Sequence, residues 1–214
     1  MVAVAPLYLI ADRTACRGRP LLDVVDAACS VGVRWVQYRE KALSRRARYE
    51  EARRLRELTR RAGAALIIND ELDLALAVDA DGLHLGQEDL PLSIARAHLG
   101  AGRFIGVSTH TLDEAMAAAD GGADYIAVGP VFATAVKSRP PVGCDAVRRV
   151  RAATTVPIVA IGGITPETAA EVLRAGADSV AVISAVCGAS DIAAAVDAFR
   201  RAIDGIARAG QKNA

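Results

Sequence analysis

One phrase occurs three times along this chain: the end of a helical stretch, an Ala-Asp or Asp-Gly pair, then a short apolar run. It reads Val78-Asp79-Ala80-Asp81-Gly82-Leu83-His84-Leu85-Gly86. It returns as Gly121-Gly122-Ala123-Asp124-Tyr125-Ile126-Ala127-Val128-Gly129, and again as Ala175-Gly176-Ala177-Asp178-Ser179-Val180-Ala181-Val182-Ile183. Each copy is a helix stop, a tight turn and a strand apolar on both faces, as in a parallel sheet covered by helices. A chain built from that unit alternates strand and helix, and its chemistry lies in the polar residues just after each strand.

The same pattern predicts strands over 7–11, 33–38, 64–68, 82–85, 104–107, 125–128, 156–161 and 179–183. Between and after them it predicts helices over 21–30, 44–62, from about 71, and over 92–99, 112–120, 145–152, 165–175 and 191–207. Ser44 and Thr165 read as N-caps, Pro166 as a first helical residue, and Gly32, Gly63 and Gly100 as helix stops. Eight strand–helix pairs point to a closed (β/α)8 TIM barrel, α/β in class. It forms a single catalytic domain over 1–208, with 209–214 a disordered tail.

The chain's 214 residues are near the lower end for such a barrel. Its 52% apolar fraction is mostly Ala, Val, Leu and Ile, with only 4% aromatic, which suits helices packed closely on a sheet. A net charge of +1 gives no electrostatic footprint for nucleic acid or an anionic membrane, so neither is expected as a partner. Apolar runs are strand-length, too short to span a bilayer, and the first ten residues lack the basic start of a secretion signal. Cys16, Cys29, Cys144 and Cys187 have neither metal spacing nor disulfide density, which predicts a reduced, cytoplasmic enzyme. The oligomeric state stays open, a homo-oligomer included.

In a barrel the chemistry sits at the carboxyl ends of the strands. Those ends carry Asp12 and Arg13; Gln37, Arg39 and Lys41; Asn69 and Asp70; Gln87, Glu88 and Asp89; Ser108 and His110; Thr134 and Lys137; Gly162 and Gly163; and Ser184. Cations, carboxylates and a glycine turn around one mouth suit an anionic substrate with a divalent metal. Gly162-Gly163 and Ser184 follow the last two strands, where barrels often bind phosphate, although two glycines could simply serve a tight turn. Asp70 and Asp89 could share one hard cation; alternatively Asp70 caps a short helix and Asp89 shapes the turn before Pro91. Arg39, Lys41 and Lys137 could clamp a polyanion, or be surface ion-pair partners. His84 reads as barrel interior. His110 is either an acid–base group or a brace for the helix beginning near Thr111. The eight arginines between Arg45 and Arg61, interleaved with Glu50, Glu51 and Glu57, read as a solvated outer helix face.

These phrases resemble those of the thiamine-phosphate synthase family from Leu7 to about Ser190. The likeness rests on Val36-Gln37-Tyr38-Arg39-Glu40-Lys41, Ile68-Asn69-Asp70 and the run from Asp81 through Gly86-Gln87-Glu88-Asp89 to Pro91. It continues through Gly106-Val107-Ser108-Thr109-His110-Thr111, Gly129-Pro130-Val131-Phe132 and Ala160-Ile161-Gly162-Gly163-Ile164. The resemblance implies a transferase that joins hydroxymethylpyrimidine diphosphate to hydroxyethylthiazole phosphate, giving thiamine phosphate and diphosphate. It implies magnesium on Asp70 and Asp89, and diphosphate contacts from Arg39, Lys41, Asn69 and Lys137. Gln37 would lie near the pyrimidine and Ser108 near the reacting groups. Thr134, Gly163, Ile183 and Ser184 would take the thiazole phosphate. Arg39, Lys41, Ser108 and Lys137 would be the catalytic set.

The chain departs from the family in the loop after the sixth strand, where Ala133 replaces a proline and Val136 a hydroxyl residue. Val136 cannot donate a hydrogen bond to the thiazole half. Two other readings remain. A thiazole tautomerase of the same superfamily would use His110 and no metal. A non-catalytic regulatory barrel would bind phosphate without turnover. Neither has use for the full set of Arg39, Lys41, Asp70 and Asp89.

Overall fold

The computed structural model describes residues 4–134 and 139–211, with 207–211 as backbone alone. Eight parallel strands close into a barrel in sequence order: β1 (Leu7–Asp12), β2 (Trp35–Arg39), β3 (Ala65–Asn69), β4 (Gly82–Leu85), β5 (Phe104–Thr109), β6 (Tyr125–Val128), β7 (Ile158–Ile161) and β8 (Ser179–Val182). Around them run α1 (Leu21–Ser30), α2 (Arg45–Arg61), α3 (Leu72–Ala77), α4 (Leu92–Leu99), α5 (Leu112–Asp120), α6 (Gly143–Ala153) and α7 (Pro166–Arg174). The chain then makes a single turn, α8 (Ser184–Cys187), and ends in α9 (Ile192–Gln211). The TIM-barrel expectation holds, with most boundaries within two residues. Three features differ from it. A 3-10 turn over Arg13–Cys16 follows β1, β8 stops at Val182 so that Ser184 opens α8, and the final helix reaches Gln211 rather than 207.

The thrice-repeated phrase has a specific physical job. Asp81, Asp124 and Asp178 each accept a backbone N–H from the start of the strand next door, at 2.8 Å in every case: from Leu66 and Ile105, second in their strands, and from Ile158, first in its own. Each carboxylate also pairs with an arginine from an even-numbered helix: Arg56 of α2, Arg96 of α4 and Arg151 of α6. One acidic residue thus ties two neighbouring strands and a helix at the amino end of the barrel, a charge-assisted arrangement stronger than a neutral one. The fourth place in this cycle, before β2, holds Arg34, whose carbonyl accepts from Ala65 at 2.8 Å.

That tie corrects the reading of the arginine-rich helix. Arg53 does make a helix-surface pair with Glu57 at 2.6 Å. Arg48 and Arg56, however, are only 17% and 14% exposed and pair with Glu71 and Asp81. Helical periodicity turned these two toward the neighbouring loops and away from water.

The barrel interior is filled by alternate residues of the strands. Trp35 stacks on Phe104 with ring centres 5.4 Å apart, and Tyr8 and Tyr125 meet Trp35 edge-on at the same distance. The Tyr125 ring crosses β5 at Gly106, where a Cβ would come within 2.0 Å of it. Glycine is therefore required there by close approach. A second apolar layer lies between the outer faces of the strands and the helices, and all four cysteines are buried and free. Among the described residues no helix is long and apolar enough to cross a membrane.

Candidate active site

At the carboxyl end of the barrel lie two hollows. The wider, about 420 Å³, is lined by Arg39, Lys41, Asn69, Asp70, His84, Gly86, Gln87, Glu88, Asp89, Ser108, His110 and Arg139. Parallel pairing sets Asp12 of β1 against Arg39 of β2, and the two form an ion pair with Asp12 nearly buried. Asp12 also accepts from the backbone N–H and hydroxyl of Thr14, at 2.9 and 2.5 Å. Arg13 turns the other way, to Glu40 at 2.9 Å and to Glu51. Lys41, 61% exposed, reaches Asp70 at 3.2 Å.

Asp70 sits in the left-handed region, with φ of 63°. Its backbone N–H donates to the His84 carbonyl at 2.8 Å, which holds the chain end of β3 against β4. It does not cap α3, whose N-cap is Glu71 and lacks a side-chain cap bond. Burial first, and then the neighbouring Asp89 carboxylate, raise the Asp70 carboxyl above its ordinary value, while Lys41 opposes them. Asp89 closes its own turn by accepting the Gly86 N–H at 2.7 Å through Oδ2. A carboxyl group whose ionisation is opposed by burial and by a neighbouring carboxylate forms, with that neighbour, a donor set that a hard divalent cation satisfies. No group of three or more His, Cys, Asp or Glu side chains suited to a metal occurs among the described residues. A cation here would take its other ligands from substrate and water.

The second hollow, about 70 Å³, is lined by Pro130, Thr134, Ile161, Gly162, Gly163, Ile164, Ala181, Val182, Ile183, Ser184 and Ala185. The loop after β6 is laid on the end of β7: Val131 N–H donates to the Ile161 carbonyl at 2.8 Å and Phe132 N–H to that of Gly162 at 3.0 Å. A Cβ on Gly162 would meet Pro130 Cα at 2.5 Å, and one on Gly163 the Ala133 carbonyl at 2.5 Å. Both glycines also have positive φ, 99° and 64°. Glycine is thus demanded by the crossing loop, and the same absence of side chains exposes backbone N–H groups to an oxyanion.

A family model described as thiamine monophosphate synthase matches residues 7–186. The chain belongs to that family. It is 51% identical over 196 residues to the thiamine-phosphate synthase of Chloroflexus aurantiacus, covering 91% of this chain and 90% of the relative. It is likewise 51% identical over 199 residues to that of Moorella thermoacetica, covering 92% and 95%. Among solved structures it is similar to thiamine phosphate pyrophosphorylase from Pyrococcus furiosus, with a TM-score of 0.86, 38% identity and 94% and 96% of the two chains covered.

The residues expected at the mouth divide between the two hollows. Arg39, Lys41, Asn69, Asp70, Asp89 and Ser108 line the wide one, and Thr134, Gly163, Ile183 and Ser184 the small one. Gln37 lies deeper, 1% exposed, with its amide on the Tyr8 hydroxyl at 2.9 Å. Lys137 and Val136 lie outside the described residues. His110 braces the start of α5 through its backbone, whose N–H donates to Glu114 Oε2 at 2.6 Å, while Thr111 is the side-chain cap, accepting the Glu114 N–H at 3.1 Å. Its side chain faces the other way, with His110 Nδ1 2.6 Å from the Gly129 carbonyl, bracing the loop after β6.

One participant and the roles of two others were missed in the sequence. Arg139 adds a cation to the wide hollow; its signal was a second basic residue two places beyond Lys137. Asp12 anchors Arg39, as the β1–β2 register would have indicated. His84 is interior, as expected, but its Nε2 is 2.8 Å from Ser108 Oγ. Strand alternation carries that signal, since His84 pairs with Gly106, two residues below Ser108 on the same face.

Proposed function

We propose that the protein is a cytoplasmic thiamine-phosphate synthase that condenses hydroxymethylpyrimidine diphosphate with hydroxyethylthiazole phosphate. The observation that carries this reading is the pairing of a wide, charged hollow with a small, glycine-walled one at a single barrel mouth. The first suits a diphosphate and the second a single phosphate group. Arg39, Lys41, Asn69 and Arg139 gather the diphosphate, and we assign Lys137, two residues before Arg139 in the sequence, the same role. Asp70 and Asp89 would hold magnesium, which when bound supplies positive charge beside the leaving diphosphate. Gly163, Ile183, Ser184 and Thr134 hold the thiazole phosphate.

The chemistry needs no protein nucleophile. Departure of diphosphate leaves an electron-poor pyrimidine methylene, and the thiazole nitrogen captures it. The residues orient both partners and neutralise the leaving charge. Buried free thiols are consistent with a reducing compartment. The deciding experiment is a coupling assay with both phosphorylated precursors, with magnesium or with chelator. Magnesium-dependent thiamine phosphate is the expected product. Absence of product from protein that still binds thiazole phosphate would overturn the reading in favour of an isomerase or a binding protein.

A further inference from the structure

A continuous line of polar side chains crosses the otherwise apolar barrel interior and ends at the wide hollow. Gln37 Nε2 donates to the Tyr8 hydroxyl at 2.9 Å, and the Tyr8 and Tyr125 hydroxyl oxygens are 3.0 Å apart. Tyr125 Oη is 3.0 Å from His84 Nδ1, and His84 Nε2 is 2.8 Å from Ser108 Oγ. Gln37, Tyr8, Tyr125 and His84 are 1%, 1%, 0% and 7% exposed, so water does not break the line. Of the five, His84 and Ser108 line the hollow.

The line has a direction. Burial raises both phenols far above their ordinary range, so each keeps its proton. An amide nitrogen can only donate, so the Tyr8 oxygen accepts from Gln37 and its proton goes to Tyr125. Tyr125 then spends its own proton on His84 Nδ1. With Nδ1 accepting, a neutral imidazole carries its proton on Nε2 and donates it to Ser108 Oγ. The opposite polarity would give the Tyr8 oxygen two incoming donors and strand its own buried proton, which no third group among the described residues accepts.

We infer that Gln37, Tyr8 and Tyr125 form a polarised relay that locks His84 as the Nε2–H tautomer and thereby aims the Ser108 hydroxyl proton into the hollow. Ser108 is then a hydrogen-bond donor toward the reacting groups, and His84 cannot serve as its base. Tyr8, Tyr125 and His84 are positioning residues. The catalytic consequence rests on the condensation proposed above; the tautomer itself does not.

The test is nitrogen NMR of the full chain carrying 15N-histidine, with His84→Gln used to assign the signals. The expected result is an unprotonated Nδ1 and a protonated Nε2 at His84. In Tyr125→Phe the preference for that tautomer should be lost. Its kcat should fall about fivefold, the worth of one hydrogen bond, with both KM values unchanged. A wild-type His84 protonated at Nδ1 would overturn the inference whatever the variants do, and so would Tyr125→Phe protein that folds and keeps the wild-type tautomer. If the protein shows the expected nitrogen signals but makes no thiamine phosphate, the condensation fails and the relay stands.

Discussion

The two hollows at the barrel mouth are equipped for anions by opposite means. The wide one is walled by full charges on long or half-exposed side chains, three of which are held by other charges: Arg39 by Asp12, Lys41 and Asp70 by each other. The small one has no formal charge among its described lining residues and relies on backbone, one threonine and one serine. Side-chain charge is adaptable and sensitive to salt, whereas backbone N–H groups at a glycine turn are fixed by the fold. The comparison teaches that one mouth can offer two unlike environments for negative charge. A diphosphate with its cation needs movable charge, and a single phosphate needs a cradle of set shape.

The largest expected effect comes from removing a carboxylate on the wide side. Asp89→Ala should lower magnesium-dependent turnover by about 100-fold or more. Affinity for thiazole phosphate, measured by calorimetry, should not change. A matched loss of both would mean that the hollows are not independent.

The converse probe is Gly163→Ala. At φ of 64°, with the Ala133 carbonyl 2.5 Å from the new Cβ, the turn must shift. The KM for thiazole phosphate should rise about tenfold, corresponding to the cost of one left-handed non-glycine residue, with the KM for the pyrimidine diphosphate unaltered. Steady-state kinetics with each substrate varied in turn would show an equal rise in both constants if the hollows communicate.

Arg139→Ala should act more weakly, raising the KM for the pyrimidine diphosphate about threefold, because an exposed cation in the rim is screened. That increment should shrink as salt is added. A salt-independent effect would point to packing in place of charge.

The smallest effect concerns stability without ligands. The Asp70 carboxyl is raised in the folded state, so the folded chain holds that proton more tightly than the unfolded one. Stability from this group is therefore lost as pH climbs from the ordinary aspartate value through the raised one, and the deficit persists at neutral pH. Asp70→Asn should raise the melting temperature at pH 7 by about 1–2 °C, helped by the tolerance of asparagine for positive φ. Thermal scans at pH 7 and pH 4 should show the larger gain at the higher pH. A gain of equal size at both would assign it to the backbone alone.

Periodicity made the barrel legible, because eight apolar strands and their helix stops repeat with little variation. The 3-10 turn at Arg13–Cys16 and the turn of helix at Ser184–Cys187 escaped, since four residues are too few for a helical period to show. At the mouth, Arg39, Lys41, Asn69, Asp70, Asp89 and Ser108 could be read from their positions at strand ends. Their division from Thr134, Gly163, Ile183 and Ser184 could not, because it depends on how the loop after β6 folds onto β7. Gln37 shares a face with Arg39, but its depth in the barrel is set by Tyr8, a partner 29 residues away on another strand. The apolar neighbours of His84 mark it as interior, but its link to Ser108 needs the β4–β5 register as well as strand alternation.

The aromatic packing of Trp35, Phe104, Tyr8 and Tyr125 has a kinetic consequence. It stops the barrel at its floor, so the site is a cul-de-sac with one doorway. Anything bound at the mouth must therefore arrive and depart from the same side.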